Sequence, residues 1–171
     1  MEPVNNFNDL QQQYKPEKVQ VLFIADAPAA GTRFFYRKNS ELFKAVKSAF
    51  TQVFGEFTDK DAFLNFYRDF GCYLDNICLV PVKYLPPKEQ NEERRRGIPS
   101  LAERIAEMQP RLIIITMKAI EKYALEAISQ SKAESIEKVA SIPFPLGSMT
   151  NFNNSISGIV SAMRSVEWEA F

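Results

Sequence analysis

The chain has 171 residues, 46% of them hydrophobic, and its 21 basic side chains balance 21 acidic ones. That length favours one domain, expected to span residues 1–171, able to bury roughly 70% of its unfolded surface without a metal or disulfide staple. Fourteen Phe and six Tyr supply core material and exclude disorder as the main state, and zero net charge argues against indiscriminate nucleic-acid binding while leaving room for a local basic groove.

The chain contains no His, which removes every mechanism that needs an imidazole as base, acid or metal ligand. Cys72 and Cys78, the two cysteines, would lie roughly 20 Å apart on one strand, too far to bridge, so two buried thiols are expected. Four-thiolate zinc and iron–sulfur sites within the chain are excluded, and no metal or organic cofactor is expected. No apolar run approaches the ~20 residues of a membrane span. The opening MEPVNNFNDLQQQ has neither the basic end nor the apolar middle of a signal peptide. A soluble cytoplasmic protein without membrane contact is expected.

In chain order, Val19–Ala25 is a nearly continuous apolar run, as a strand covered on both faces should be. Ala27-Pro28-Ala29-Ala30-Gly31 cannot continue a ladder and reads as a loop. Leu42, Val46, Phe50 and Val53 recur at helical spacing, with Ser40 or Asn39 as the cap. Phe63, Phe66, Tyr67 and Phe70 mark a second amphipathic helix ended by Gly71. A strand is expected at Cys72–Val80, then a long charged surface loop from Lys83 to Gly97. Ser100 with Glu103 forms a capping box for a helix that buries Leu101, Ile105 and Met108. Leu112–Thr116 is a second buried strand, and Thr116 is expected to cap a helix running to about Ser129. A weaker strand at Ile136–Ile142 precedes the loop Pro143–Gly147, and the last helix buries Ile156, Ile159, Val160 and Met163. Glu167-Trp168-Glu169 reads as a packed tail.

This alternation predicts an α/β fold: a three-layer α/β/α sandwich around a four-stranded parallel sheet. Ligands in such sheets sit beyond the carboxyl ends of the strands, where strand order reverses. The site is therefore expected from Asp26–Tyr36, the loop after Val80 and Phe144–Asn151. Small residues around Ala27 and Pro28 let a ligand approach the backbone. Asp26, at a strand end, is placed either to orient a water and accept its proton or simply to cap a turn.

The segment Ile24-Ala25-Asp26-Ala27-Pro28-Ala29-Ala30-Gly31 resembles the first motif of the uracil-DNA glycosylase superfamily. Phe34-Phe35-Tyr36-Arg37-Lys38-Asn39 is similar to its aromatic-then-Asn segment, and Tyr73-Leu74-Asp75-Asn76-Ile77-Cys78 to its second strand. The likeness covers roughly residues 18–165 and implies a protein that flips a pyrimidine, uracil above all, out of DNA and hydrolyses its N-glycosidic bond. It assigns base stacking to Phe34, with Phe35 and Tyr36 as alternatives. It assigns base reading to Asn76 or its neighbour Asp75, whichever the strand register turns inward, and the water to Asp26. Ala27 and Pro28 would line the base slot, and Arg33, Arg37 and Lys38 would meet phosphates. The arginines of Glu89–Arg96 are either further phosphate contacts or part of a solvated, self-compensated loop. Where the superfamily usually reads His-Pro-Ser, this chain has Phe144-Pro145-Leu146-Gly147-Ser148. Losing one donor to the departing base typically costs ~10²–10³ in rate; backbone amides around Gly147, or Ser148 or Asn151, are the available substitutes. A catalytically silent base- or nucleic-acid-binding module on weak or single-stranded DNA is the second reading. A small-molecule protein that shares only the architecture is the third.

Overall fold

The computed structural model describes residues 5–169. The first four residues of the segment weighed for a signal peptide, and the outermost ends of the 1–171 domain assignment, lie outside the described residues. Four strands, β1 (Val21–Ala25), β2 (Cys72–Asn76), β3 (Leu112–Ile115) and β4 (Lys138–Ser141), form one all-parallel sheet in the order β2-β1-β3-β4. Among the described residues six α-helices surround it: α1 (Asn5–Gln13), α2 (Glu41–Phe54), α3 (Lys60–Phe70), α4 (Pro87–Met108), α5 (Glu121–Ser131) and α6 (Met149–Arg164). The predicted α/β sandwich is the observed one.

Register assigns the faces. Parallel neighbours in register share a face, so Phe23, pairing with Leu74 and Ile114, lies opposite Ile24, which pairs with Asp75 and Ile115. Phe23 packs on Phe50 of α2 and Tyr67 of α3, with ring centroids 6.5 and 5.6 Å away. Asp75 is bound by Arg104 of α4. One layer thus holds α2, α3 and α6, and the other α4 and α5. The first is an aromatic core in which Phe50, Phe63 and Tyr67 are fully buried; each such ring pair adds ~0.5–1.5 kcal/mol beyond its buried area.

Several helix ends follow local chemistry. Ser40 caps α2 through its Oγ, which accepts from the Phe43 amide, while Asn39 Oδ1 is taken by the Phe34 amide. Gly71 closes α3 at φ +99°, and a Cβ there would meet the Lys18 carbonyl at 2.9 Å. Trp168 packs its ring on Phe70 and donates to the Met163 carbonyl, as a packed tail should.

Four expectations require correction. The charged stretch before Gly97 is helix, because Glu, Lys, Gln and Arg are good helix formers and Pro87 sits in the first turn, where its missing amide is harmless. Ser100 is therefore mid-helix, its Oγ accepting from Arg104, and Pro99 lies inside α4 on its exposed side. Strand β2 ends at Asn76, four residues before Val80, because Leu79 and Val80 turn outward to solvent. Thr116 caps no helix; it is fully buried and its hydroxyl donates to the Ile24 carbonyl, stitching β3 to β1. Helix α1 carried no apolar signal beyond Phe7 and Leu10. It covers the free edge of β2, where Gln11 donates to the Leu74 carbonyl and the Tyr36 hydroxyl accepts from the Leu74 amide. Both cysteines are free and buried.

Candidate functional site

Strand order reverses between β1 and β3, since the chain steps from β1 to β2 on one side and then crosses to β3 on the other. A cleft of about 690 Å³ opens there, at the carboxyl ends of the strands. The loop after β1 supplies its floor, with Asp26, Ala27, Pro28, Ala29 and Arg33. Val82 and Lys83 come from the loop after β2, Met117 from the loop after β3, Phe144 and Leu146 from the loop after β4, and Arg94 from α4. The walls are largely apolar, with a carboxylate and a guanidinium as the polar centre.

That centre is an ion pair. Arg94 Nε donates to Asp26 Oδ1 at 2.9 Å and Nη2 donates to Oδ2 at 2.8 Å, the parallel fork-to-fork geometry that a guanidinium favours. Nη1 donates to Asn91 Oδ1 at 2.9 Å, and the Cys78 thiol lies 3.5 Å from Asp26 Oδ1. The side chains keep 8% and 20% exposure for Arg94 and Asp26, so the pair is recessed but reachable. The Asp26 hydrogen bonds raise the Arg94 pKa, outweighing the effect of its burial. Burial, reinforced by the Asp26 charge, pushes the Cys78 thiol up to about 12, so it stays protonated and unreactive at neutral pH.

Arg94 reaches this position because α4 sits directly on the chain leaving β2. At Gly97 an added Cβ would fall 1.7 Å from the Ile77 carbonyl oxygen, a contact open to glycine alone. The backbone at Ile77 and Cys78 is itself tied to the β1 loop, the two amides donating to the Ala25 and Asp26 carbonyls at 3.0 and 2.8 Å. Seven residues beyond Gly97, Arg104 makes a second pair, with Nε on Asp75 Oδ2 at 2.7 Å and Nη2 on the Asn76 carbonyl at 2.9 Å.

The expected site residues divide into two groups. Asp26, Ala27, Pro28, Arg33 and Phe144 line the cleft. Asn76, Phe34, Arg37, Lys38, Gly147 and Ser148 are not on its lining. Asp75 is bound by Arg104 of α4, strand alternation puts Asn76 on the opposite, α2-side face, and neither residue lines the cleft. Phe34 is 7% exposed and packs edge-on against Phe7 of α1 and Tyr36. Arg37 lies over the Phe7 ring and Lys38 pairs with Asp61. Ser148 is the cap of α6, accepting from the Asn151 amide, while the Asn151 side chain donates to the Leu146 carbonyl. Gly147 turns the exposed loop at φ +96°. Arg33 stands at the rim, 3.6 Å from Glu41 and largely in solvent.

Arg94 was legible only as one member of an arginine run. The signal that singles it out is the apolar period of α4: Ile105, Leu101 and Ile98 step back at helical spacing to Arg94, all on the buried stripe. Among the described residues no group of His, Cys, Asp and Glu is arranged to hold a metal ion, and no helix is long and apolar enough to cross a membrane.

No curated protein matches the chain. A family model described as the uracil DNA glycosylase superfamily matches residues 11–163, from within α1 to within α6, and takes in every strand and the whole cleft. The chain belongs to the uracil DNA glycosylase superfamily.

Proposed function

We propose that this protein acts on DNA by taking an unpaired pyrimidine into the cleft above β1 and β3, holding it there without rapid cleavage of the N-glycosidic bond. The observation that carries this reading is the Asp26–Arg94 pair. A carboxylate that is to act as base toward a water or meet an oxocarbenium-like sugar needs its full negative charge. Here both oxygens accept from one guanidinium, which cancels that charge at short range. The chain holds no imidazole to stabilise a departing base, and removing one such preorganised donor typically costs ~10²–10³ in rate.

Binding is supported by the rest of the cleft. Ala27, Pro28, Met117 and Phe144 form apolar walls on which a planar base can lie. Arg33 and Lys83 at the mouth supply positive charge for the adjoining phosphates. No metal or organic cofactor enters this reading. Membership in the uracil DNA glycosylase superfamily supports DNA as the partner.

The test uses fluorescence anisotropy with labelled single-stranded and duplex oligonucleotides carrying one uracil, followed by alkaline cleavage of the same samples. Salt-dependent binding with little or no strand cleavage is expected. Efficient cleavage that is lost in Asp26→Asn would replace this reading by the hydrolytic one, and failure to bind either oligonucleotide at low salt would remove both.

A further inference from the structure

Resting on the base-binding reading, we infer that Asp26 and Arg94 together read the hydrogen-bonding edge of the base, a role that sequence likeness would give to Asn76. The first support is what the pair leaves unused. A guanidinium carries five N–H donors, and Arg94 commits three, two to Asp26 and one to Asn91. A carboxylate offers about four acceptor positions, and three are taken, two by Arg94 and one by the Cys78 thiol. The pair therefore retains two donors and one acceptor in a single planar unit. Both residues line the cleft, beside the apolar surfaces of Pro28, Met117 and Phe144.

The second support is complementarity. A pyrimidine edge presents a donor next to an acceptor: N3–H beside O4 in uracil, or the N4 amino group beside N3 in cytosine. Arg94 would donate to the O4 carbonyl of uracil or to N3 of cytosine, and Asp26 would accept the neighbouring proton. A fork-to-fork pair keeps this donor–acceptor spacing fixed, because neither group can rotate without breaking its bonds to the other. The third support is position. Asn76 points to the α2-side face of the sheet and is not on the cleft lining, whereas Asp26 and Arg94 are. Their burial keeps competing water to a minimum, which strengthens discrimination by hydrogen bonding.

The decisive probe is a base whose edge is blocked. Wild-type protein is titrated with labelled single-stranded oligonucleotides of one sequence that carry uracil, 3-methyluracil or an abasic site. The expected result is uracil bound about tenfold or more tighter than 3-methyluracil, the scale of one lost hydrogen bond to a charged group, with 3-methyluracil close to the abasic control. Arg94→Gln should abolish the difference. The double variant Asp26→Asn with Arg94→Gln, which keeps a neutral amide pair and avoids a stranded charge, should abolish it as well. Asn76→Ala should retain it. Equal binding of the uracil and 3-methyluracil probes by wild type overturns the assignment alone, as does a preference that survives in both Arg94 variants and vanishes in Asn76→Ala. No binding of any probe at low salt overturns the base-binding reading itself.

Discussion

Helix α4 makes two aspartate–arginine pairs with the sheet, and they differ in what surrounds them. Arg104 is tied to the end of β2 and to its own helix. Its fork spans the Asp75 carboxylate, the Asn76 carbonyl and the Ser100 hydroxyl, while Asp75 also accepts from the Asn76 amide. The three committed Arg104 donors end on β2 and on its own helix, and neither residue lines the cleft, so the pair works as a clamp on the end of β2. Arg94 instead binds both oxygens of its carboxylate, and this pair borders an open cleft toward which it can use its remaining donors and acceptor. The same chemistry ten residues apart on one helix gives a fastener in one place and, in the proposed reading, a recognition surface in the other. The difference is that Asp26 and Arg94 line the cleft and Asp75 and Arg104 do not.

The largest effect that can break this comparison is at Gly97, on which both pairs depend. Gly97→Ala would drive a Cβ into the Ile77 carbonyl oxygen and lift α4 from the sheet. Destabilisation of about 3 kcal/mol or more is expected in urea unfolding, at the upper end of overpacking costs. Wild-type stability in this variant would show that the seat of α4 does not position the arginines.

Removing one partner from each pair ranks them. Arg94→Met leaves the Asp26 carboxylate recessed and unpaired, with an expected loss of about 3 kcal/mol. Arg104→Met leaves Asp75 with its bond from the Asn76 amide and should cost about 1–2 kcal/mol. Chemical denaturation of both variants gives the order, and the reverse order would make Arg104 the more deeply committed group. A smaller effect comes with pH. Burial raises the Cys78 thiol to about 12, so the folded state holds that proton more tightly than the unfolded chain does. Its contribution is complete below the unfolded thiol pKa of ~8.5 and is lost as pH climbs toward the folded value. Denaturation midpoints should fall across that alkaline window, and less steeply in Cys78→Ala. Smallest of all, Arg95→Ala and Arg96→Ala should stay within about 0.5 kcal/mol of wild type, because both side chains lie in solvent beside the buried Arg94.

Sequence patterns foretold the frame better than the site. Strands β1 and β3 are continuous apolar runs because both of their faces are covered, and such runs admit few other readings. The β1 loop, with Asp26, Ala27 and Pro28, could be placed at the cleft because the crossover rule depends only on strand order. The first half of α4 was hidden because its charged run reads as a solvated loop, with Pro99 standing just before the helix expected from Ser100. The helix tolerates it because Pro99 faces solvent while Ile98, Leu101 and Ile105 are packed and Arg94 and Arg104 pin the ends of the stripe. Once the first half of α4 is taken for a loop, Arg94 loses its address, and the ion pair in the cleft cannot be foreseen. Phe34 illustrates the complementary limit: an aromatic run says nothing about which ring a polar helix such as α1 will cover, and here Phe7 covers Phe34.

The most direct test of the central claim follows the two arginine side chains at once. In nitrogen-15 spectra the Nε–H signals of Arg94 and Arg104 can be assigned by comparison with Arg94→Met and Arg104→Met. Addition of a single-stranded oligonucleotide carrying one uracil should shift the Arg94 signal and leave the Arg104 signal in place. Binding that moves Arg104 alone, or that leaves Arg94 unmoved, would contradict the account.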